Sequence, residues 1–169
     1  DPATRTTAEQ VGPVVARASA YGQPFAFQPE HRPFMAVDGD PQTAWVVGEH
    51  GDPLGQSFTA VFTDTPSASP STSPPTSLTI TQYAAEYQQR QISRLTLQPL
   101  DAAGEPLGAA SVVDVLPASE GPTTVALDLP DGTRALRATI DAVTGGIPAT
   151  EGIVAGVGFT EFDLGLGAT

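Results

Sequence analysis

FMAVDGDPQTAW, residues 34–45, places two aspartates, a glycine, a proline, a threonine and the chain's one tryptophan within the eight positions 38–45. In Asp38-Gly39-Asp40-Pro41 a carboxylate enters a turn, Gly39 allows the positive φ that a tight reversal needs, and Pro41 fixes the exit. Such a loop turns carbonyl oxygens inward beside the Asp38 carboxylate. Thr43 adds a hydroxyl, so every donor is a hard oxygen of the kind that calcium takes. Two readings stay open on these twelve residues: a metal-binding turn, or an Asp-Gly turn that leads into a strand burying Trp45.

Outward from this stretch, the chain reads as strands separated by turns. Upstream, Val14, Ala16 and Ala18 alternate with Val15, Arg17 and Ser19. Downstream, SFTAVFT puts Phe58, Ala60 and Phe62 on one face, SLTITQ alternates Leu78 and Ile80 with threonines, and ISRLTLQ sets Leu95 and Leu97 against Arg94 and Thr96. A strand around ASVVDVL follows, then TTVALDL with Val125, Leu127 and Leu129 on one parity, and RALRATI with Leu136, Ala138 and Ile140 on one parity. Period-2 alternation of this kind marks half-buried antiparallel strands. With 17 glycines and 17 prolines spread along the chain, no window sustains apolar residues at helical spacing. YAAEYQQRQ is the one passage that suits a helical turn as well as a loop. About eight strands predict an all-β antiparallel sandwich or jelly roll.

The last strand, IVAGVGFTEFDL, carries a fault in its alternation. Ile153, Ala155, Val157 and Phe159 share a parity, but the next residue of that parity is Glu161, while Phe162 and Leu164 take the other. Either the strand bulges and sends Glu161 to solvent, or a carboxylate points inward, where it needs a cation or hydrogen-bond donors. Glu161 is therefore the natural distant partner of the acidic loop at 38–43.

Length and composition bound the rest. The 169 residues suit a single domain, 1–169, burying roughly 70% of its unfolded surface. Residues 64–76, DTPSASPSTSPPT, are Pro, Ser or Thr at eleven of thirteen positions and read as a loop inserted within that domain, with a composition that can carry O-linked sugar. The absence of cysteine excludes disulfides, thiol nucleophiles and cysteine-ligated zinc. Nineteen acidic residues against seven arginines and no lysine give a formal charge of −12, which disfavours nucleic acid and anionic membranes. No apolar run reaches membrane-span length, and the first ten residues lack the pattern of a signal peptide. No G-x-S-x-G elbow is present, and the pairs Glu30-His31 and Glu49-His50 lack the i, i+4 spacing of a helical zinc site. These features disfavour an enzyme.

MAVDGDPQTAW followed by strands and closed by GFTEFDL resembles the discoidin-like or F5/8 type C domains and the related galactose-binding-like carbohydrate-binding modules. The resemblance implies an eight-strand sandwich with a structural calcium held between the two motifs. Its ligands would be the carbonyls of Met35, Asp40 and Thr160, the carboxylates of Asp38 and Glu161, and Thr43 through its hydroxyl and its carbonyl. It also implies that Trp45 is a core residue rather than a sugar platform. GDPQTAW with an arginine-containing, lysine-free composition further resembles accessory modules of membrane-bound arabinofuranosyltransferases of Gram-positive cell envelopes. That would place the domain outside the membrane, in a larger glycan-processing protein.

Two functions follow from the resemblance. The first is a non-catalytic carbohydrate-binding module, whose partner would be a cell-envelope polysaccharide containing arabinose or galactose. Loop residues able to stack on or bond a sugar are His31, Arg32, Glu49 and His50 around the acidic turn, and Tyr83, Glu86, Tyr87 and Arg90 in one later loop; His50, Tyr83, Tyr87 and Arg90 are the favoured set. The second is a structural or protein-interaction domain of the same fold that docks on its parent protein.

Overall fold

The computed structural model describes residues 10–22, 28–48, 52–63, 74–84, 90–145 and 156–166. Nine strands are present among them: β1 (Val14–Ala18), β2 (Trp45–Val47), β3 (Ser57–Phe62), β4 (Ser77–Gln82), β5 (Gln91–Leu100), β6 (Ser111–Asp114), β7 (Thr123–Ala126), β8 (Ala135–Thr144) and β9 (Val157–Asp163). One sheet runs β1-β3-β8-β5-β6 and the other β2-β9-β4-β7. All pairings are antiparallel. This is the all-β sandwich that the alternation predicts, with nine strands in place of about eight, and the helical content described is three 3₁₀ segments of three or four residues.

The core lies between the sheets and follows the predicted parities. Phe58 and Ala60, Leu78 and Ile80, Leu95 and Leu97, and Leu136, Ala138 and Ile140 are all buried. Four aromatic rings join the two layers: Phe58 of β3 meets Trp45 of β2 and Phe162 of β9 with centroids at 5.2 and 4.9 Å, and Phe159 lies edge-on to Phe58 at 5.7 Å. Such tilted and edge-on contacts suit the ring quadrupole and add to the burial of large apolar areas. Trp45 is 0% exposed, and its indole N–H donates to the Ala20 carbonyl at 3.0 Å. It is a core residue.

Two positions close the fold where the alternation gives no warning. Gln82 sits at an inward position at the end of β4 and is buried. Its amide donates to the carbonyls of Ile92 at 2.9 Å and Leu116 at 2.6 Å and accepts from the Ile92 N–H at 2.8 Å. Gly158 stands opposite Val46 in the β2–β9 pair, and a Cβ there would meet the Trp45 carbonyl oxygen at 1.7 Å. No rotamer change relieves a clash with backbone. We predict that Gly158→Ala destabilises the protein by about 3 kcal/mol or more, at the upper end of overpacking costs, measured by urea denaturation. A change below about 1 kcal/mol would show that β2 and β9 do not approach this closely.

The segment 64–73, most of the Pro/Ser/Thr-rich insertion, lies outside the described residues, as do 85–89 in the passage suited to a helical turn and Ile153 and Ala155 at the start of the expected last strand. Among the described residues, no helix is long and apolar enough to cross a membrane.

Candidate functional site

The short strand β2 pairs with β9 only over residues 157–159. Beyond that point the acidic loop takes the place of β2 along β9. A 3₁₀ turn, Pro33–Ala36, delivers the chain into it, and Gly39 reverses direction with φ of 77°. Two successive Asx turns shape the reversal: Asp38 Oδ1 accepts from the Asp40 N–H and Asp40 Oδ1 from the Gln42 N–H, each at 2.9 Å. These are the local bonds for which Asp is favoured in turns.

The loop then closes on one hydroxyl. Thr43 Oγ1 lies 3.2 Å from the Met35 carbonyl, 2.8 Å from Asp38 Oδ2 and 3.0 Å from the Asp40 carbonyl. A hydroxyl carries one proton, so at most one of these three acceptors receives it in full. Four oxygens crowd one point with a single proton among them. Met35, Asp38, Asp40 and Thr43 are therefore brought together around this hydroxyl.

β9 completes the arrangement through a bulge. Thr81 pairs with Glu161 but Gln82 with Phe159, which leaves Thr160 as an extra residue whose hydroxyl donates to the Thr81 carbonyl at 3.3 Å. The bulge lets Phe159 and Phe162, of opposite parity, both enter the core. The two alternatives for Glu161 are thus not exclusive: the strand bulges, and the carboxylate still faces the loop. Although the residue as a whole is half-buried, Glu161 Oε1 is buried with no hydrogen-bond partner.

The electrostatics agree with this geometry. Desolvation, followed by the charges of Asp38, Asp163 and Asp40, pushes the Glu161 pKa up from 4.5 to about 7, and a backbone hydrogen bond from Gly39 opposes the shift. Asp163 is a participant that the sequence reading omitted, although it stands two residues after Glu161 in FTEFDL. A pocket of about 250 Å³, lined by Val14, Val37, Gly39, Glu161, Asp163 and Leu164 among others, adjoins the carboxylates. Among the described residues no three or more His, Cys, Asp or Glu side chains gather as a metal site. Any cation here would depend on two carboxylates supplemented by carbonyls and a hydroxyl, and such a mixed set of hard oxygens fits calcium chemistry.

The sugar-site candidates gather at another region, beside the far ends of β2 and β4. The rings of His31 and Tyr83 stand 6.3 Å apart, tilted by 58°. The Tyr83 N–H donates to the Gly158 carbonyl at 2.9 Å, and Arg90 Nη2 donates to the Gly48 carbonyl at 2.7 Å. Burial lowers the Arg90 pKa and the nearby Asp52 carboxylate raises it. The structure so unites His31 with Tyr83 and ties Arg90 to Gly48. Glu49, His50, Glu86 and Tyr87 lie outside the described residues.

No family model matches the sequence, and no curated protein does. Solved structures do match. The family 32 carbohydrate-binding module of NanJ from C. perfringens, solved with galactose, superposes with a TM-score of 0.59 at 17% identity, over 88% of this chain and 90% of that one. The chain has the discoidin-like fold of family 32 carbohydrate-binding modules. Chitosan-binding module 1 of a Paenibacillus sp. IK-5 chitosanase/glucanase gives 0.56 at 17% identity, over 89% and 92%. The mycobacterial arabinofuranosyltransferase AftD gives 0.62 at 20% identity, over 89% of this chain and 10% of that chain. The chain thus spans about a tenth of that transferase and about nine-tenths of the two carbohydrate-binding modules.

The raised pKa fixes a pH dependence in metal-free buffer. The folded state binds the Glu161 proton more tightly than the unfolded chain does, so this contribution to stability is complete below pH about 4.5 and is lost as pH rises through about 7. Glu161→Gln, which keeps the shape without the charge, is expected to lose less stability than the parent protein over that interval. Parallel melting-temperature curves for the two proteins would contradict the assignment.

Proposed function

We propose that the chain is a non-catalytic carbohydrate-binding module stabilised by a structural calcium ion, and that it works outside the cytoplasm as part of a larger cell-envelope glycan-processing protein. The observation that carries the sugar reading is the His31–Tyr83 pair, with Arg90 bonded to the Gly48 carbonyl, in a fold whose solved neighbours include modules complexed with galactose, with GalNAc-β-1,3-galactose and with chitotriose. Rings supply an apolar face for stacking on a pyranose or furanose, and imidazole and guanidinium groups bond its hydroxyls. The ligand class proposed is a neutral envelope glycan containing arabinose or galactose.

The calcium reading rests on the proton shortage around Thr43 and on the buried, unpartnered Glu161 Oε1. A divalent cation satisfies these oxygens together and offsets the repulsion among Asp38, Asp40, Glu161 and Asp163. Thr160, the residue before Glu161 at the bulge, completes the proposed set through its carbonyl.

A second reading, an interaction module that docks on its own parent protein, is favoured by the similarity to a segment covering 10% of AftD. Titration calorimetry with galactose, arabino-oligosaccharides and chitotriose separates the two. The sugar reading predicts binding to at least one of them, weakened about tenfold, or 1.4 kcal/mol, by Tyr83→Ala or His31→Ala. No binding to any of the three, or affinity unchanged in both variants, would leave the docking reading in its place.

For the cation, calcium at about 100 times its dissociation constant should raise stability by about 2.7 kcal/mol. Asp38→Ala and Glu161→Ala should each abolish that increment. A melting temperature that neither calcium nor chelator moves would remove the calcium from the proposal.

A further inference from the structure

The two open sides of the sandwich are finished differently. Gln82 of β4 bonds to Ile92 of β5, and Phe58 of β3 packs on Phe162 of β9, so the sheets stack with β1 beside β2 at one side and β6 beside β7 at the other. On the first side the edge backbone is occupied. The Gln10 amide donates to the Ala16 carbonyl at 2.8 Å and accepts from the Ala16 N–H at 2.7 Å, standing where a further strand would pair with β1. The Val46 carbonyl of β2 accepts from the Gly22 N–H at 2.7 Å. Edges covered in this way are poor templates for another chain.

The second side is bare. The Val115 N–H donates to the Ser93 carbonyl at 3.0 Å, which sets the hydrogen-bonded pairs of β5 and β6 at Leu95/Val113 and Leu97/Ser111 and turns the N–H and C=O of Val112 and Asp114 outward. On β7 the Leu127 N–H donates to the Thr76 carbonyl at 2.8 Å, which likewise turns those of Thr124 and Ala126 outward. Among the described residues no hydrogen bond reaches these outward backbone groups. The two edges differ in their side chains. β7 shows Thr124 and Ala126 on its outer face, whereas β6 carries valine on both faces. Val112, opposite Thr96, lies on the outer face and is 64% exposed; Val113, opposite Leu95, points inward and is half-buried against the core.

We propose that β6 pairs edge to edge with β6 of a second copy of this chain, antiparallel about a two-fold axis through Val113. The occupant follows from the strand's own residues. With Val113 on the axis, Val112 of each copy stands opposite Asp114 of the other. These are the residues whose N–H and C=O point outward, so both pairs exchange backbone bonds by symmetry. Val113 meets its counterpart in the closely spaced, non-hydrogen-bonded position, about 4.5 Å between Cα atoms, apolar against apolar. No like charges stand directly opposite, because Asp114, held by Arg94 at 3.2 Å, faces a valine. Two terms oppose the pairing. The strand is four residues long, and each copy carries a formal charge of −12. The contact is therefore of the small, transient class, and screening by salt strengthens it.

The test is sedimentation of the intact chain from about 10 μM to about 1 mM, at low and at high salt. The expected result is a monomer–dimer equilibrium that shifts towards dimer as salt rises. Val112→Pro removes an outward N–H without touching a bond to β5, and should weaken dimerisation at least about tenfold. Val112→Glu, which sets a carboxylate opposite Asp114 of the second copy, should weaken it as well, and Val112→Lys should strengthen it. Residue 112 is exposed, so unchanged melting temperatures are expected in the charge variants and keep the comparison valid even where proline disturbs the strand. Thr124→Pro makes the same deletion on β7 and should dimerise as the parent does. A monomer at every concentration, dimerisation undiminished in Val112→Glu, or an equal loss in Thr124→Pro would overturn the proposal.

Discussion

The structure depends on an imbalance between acceptors and donors where the acidic loop meets the last strand. Met35, Asp38, Asp40 and Thr43 turn four oxygens towards one point, and Glu161 brings a buried oxygen from the other side of the chain's length. Carboxylates and carbonyls cannot bond one another. Burial, and then the neighbouring carboxylates, let Glu161 hold its proton to about pH 7. A divalent cation, as proposed, would turn the same crowding into a cross-link between residues 35–43 and β9.

That location explains why so much else converges there. β2 stops after three residues, and the loop takes over its edge of β9. Trp45, first residue of β2, enters the aromatic cluster that ties the two sheets together, and Gly158 opposite Val46 lets the β2 backbone approach. The bulge that releases Glu161 also admits both Phe159 and Phe162 to the core. Acidic loop, short strand and aromatic cluster are one construction.

Much of this was legible in the residues. The parities of β1, β3, β4, β5 and β8 follow from alternation, because one face of each strand is buried and the other is not. The irregularity at Glu161 was visible as a break in parity, and the DGD turn as an Asx-glycine reversal. What alternation could not reveal was anything that depends on a third element. Gln82 reads as the polar end of a strand, yet it is buried because the carbonyls of Ile92 and Leu116 lie within its reach. Asp163 reads as a solvated neighbour, yet its charge acts on Glu161.

The central claim is that a hard cation bridges the acidic loop and β9, and a crystal structure grown with calcium tests it most directly. The account predicts a spherical density peak with oxygens of Asp38, Thr43 and Glu161 and the carbonyls of Met35 and Asp40 at about 2.3–2.6 Å, the calcium–oxygen range. A water molecule at that point, or Glu161 turned to solvent with Thr43 still bonded to Asp38, would contradict it.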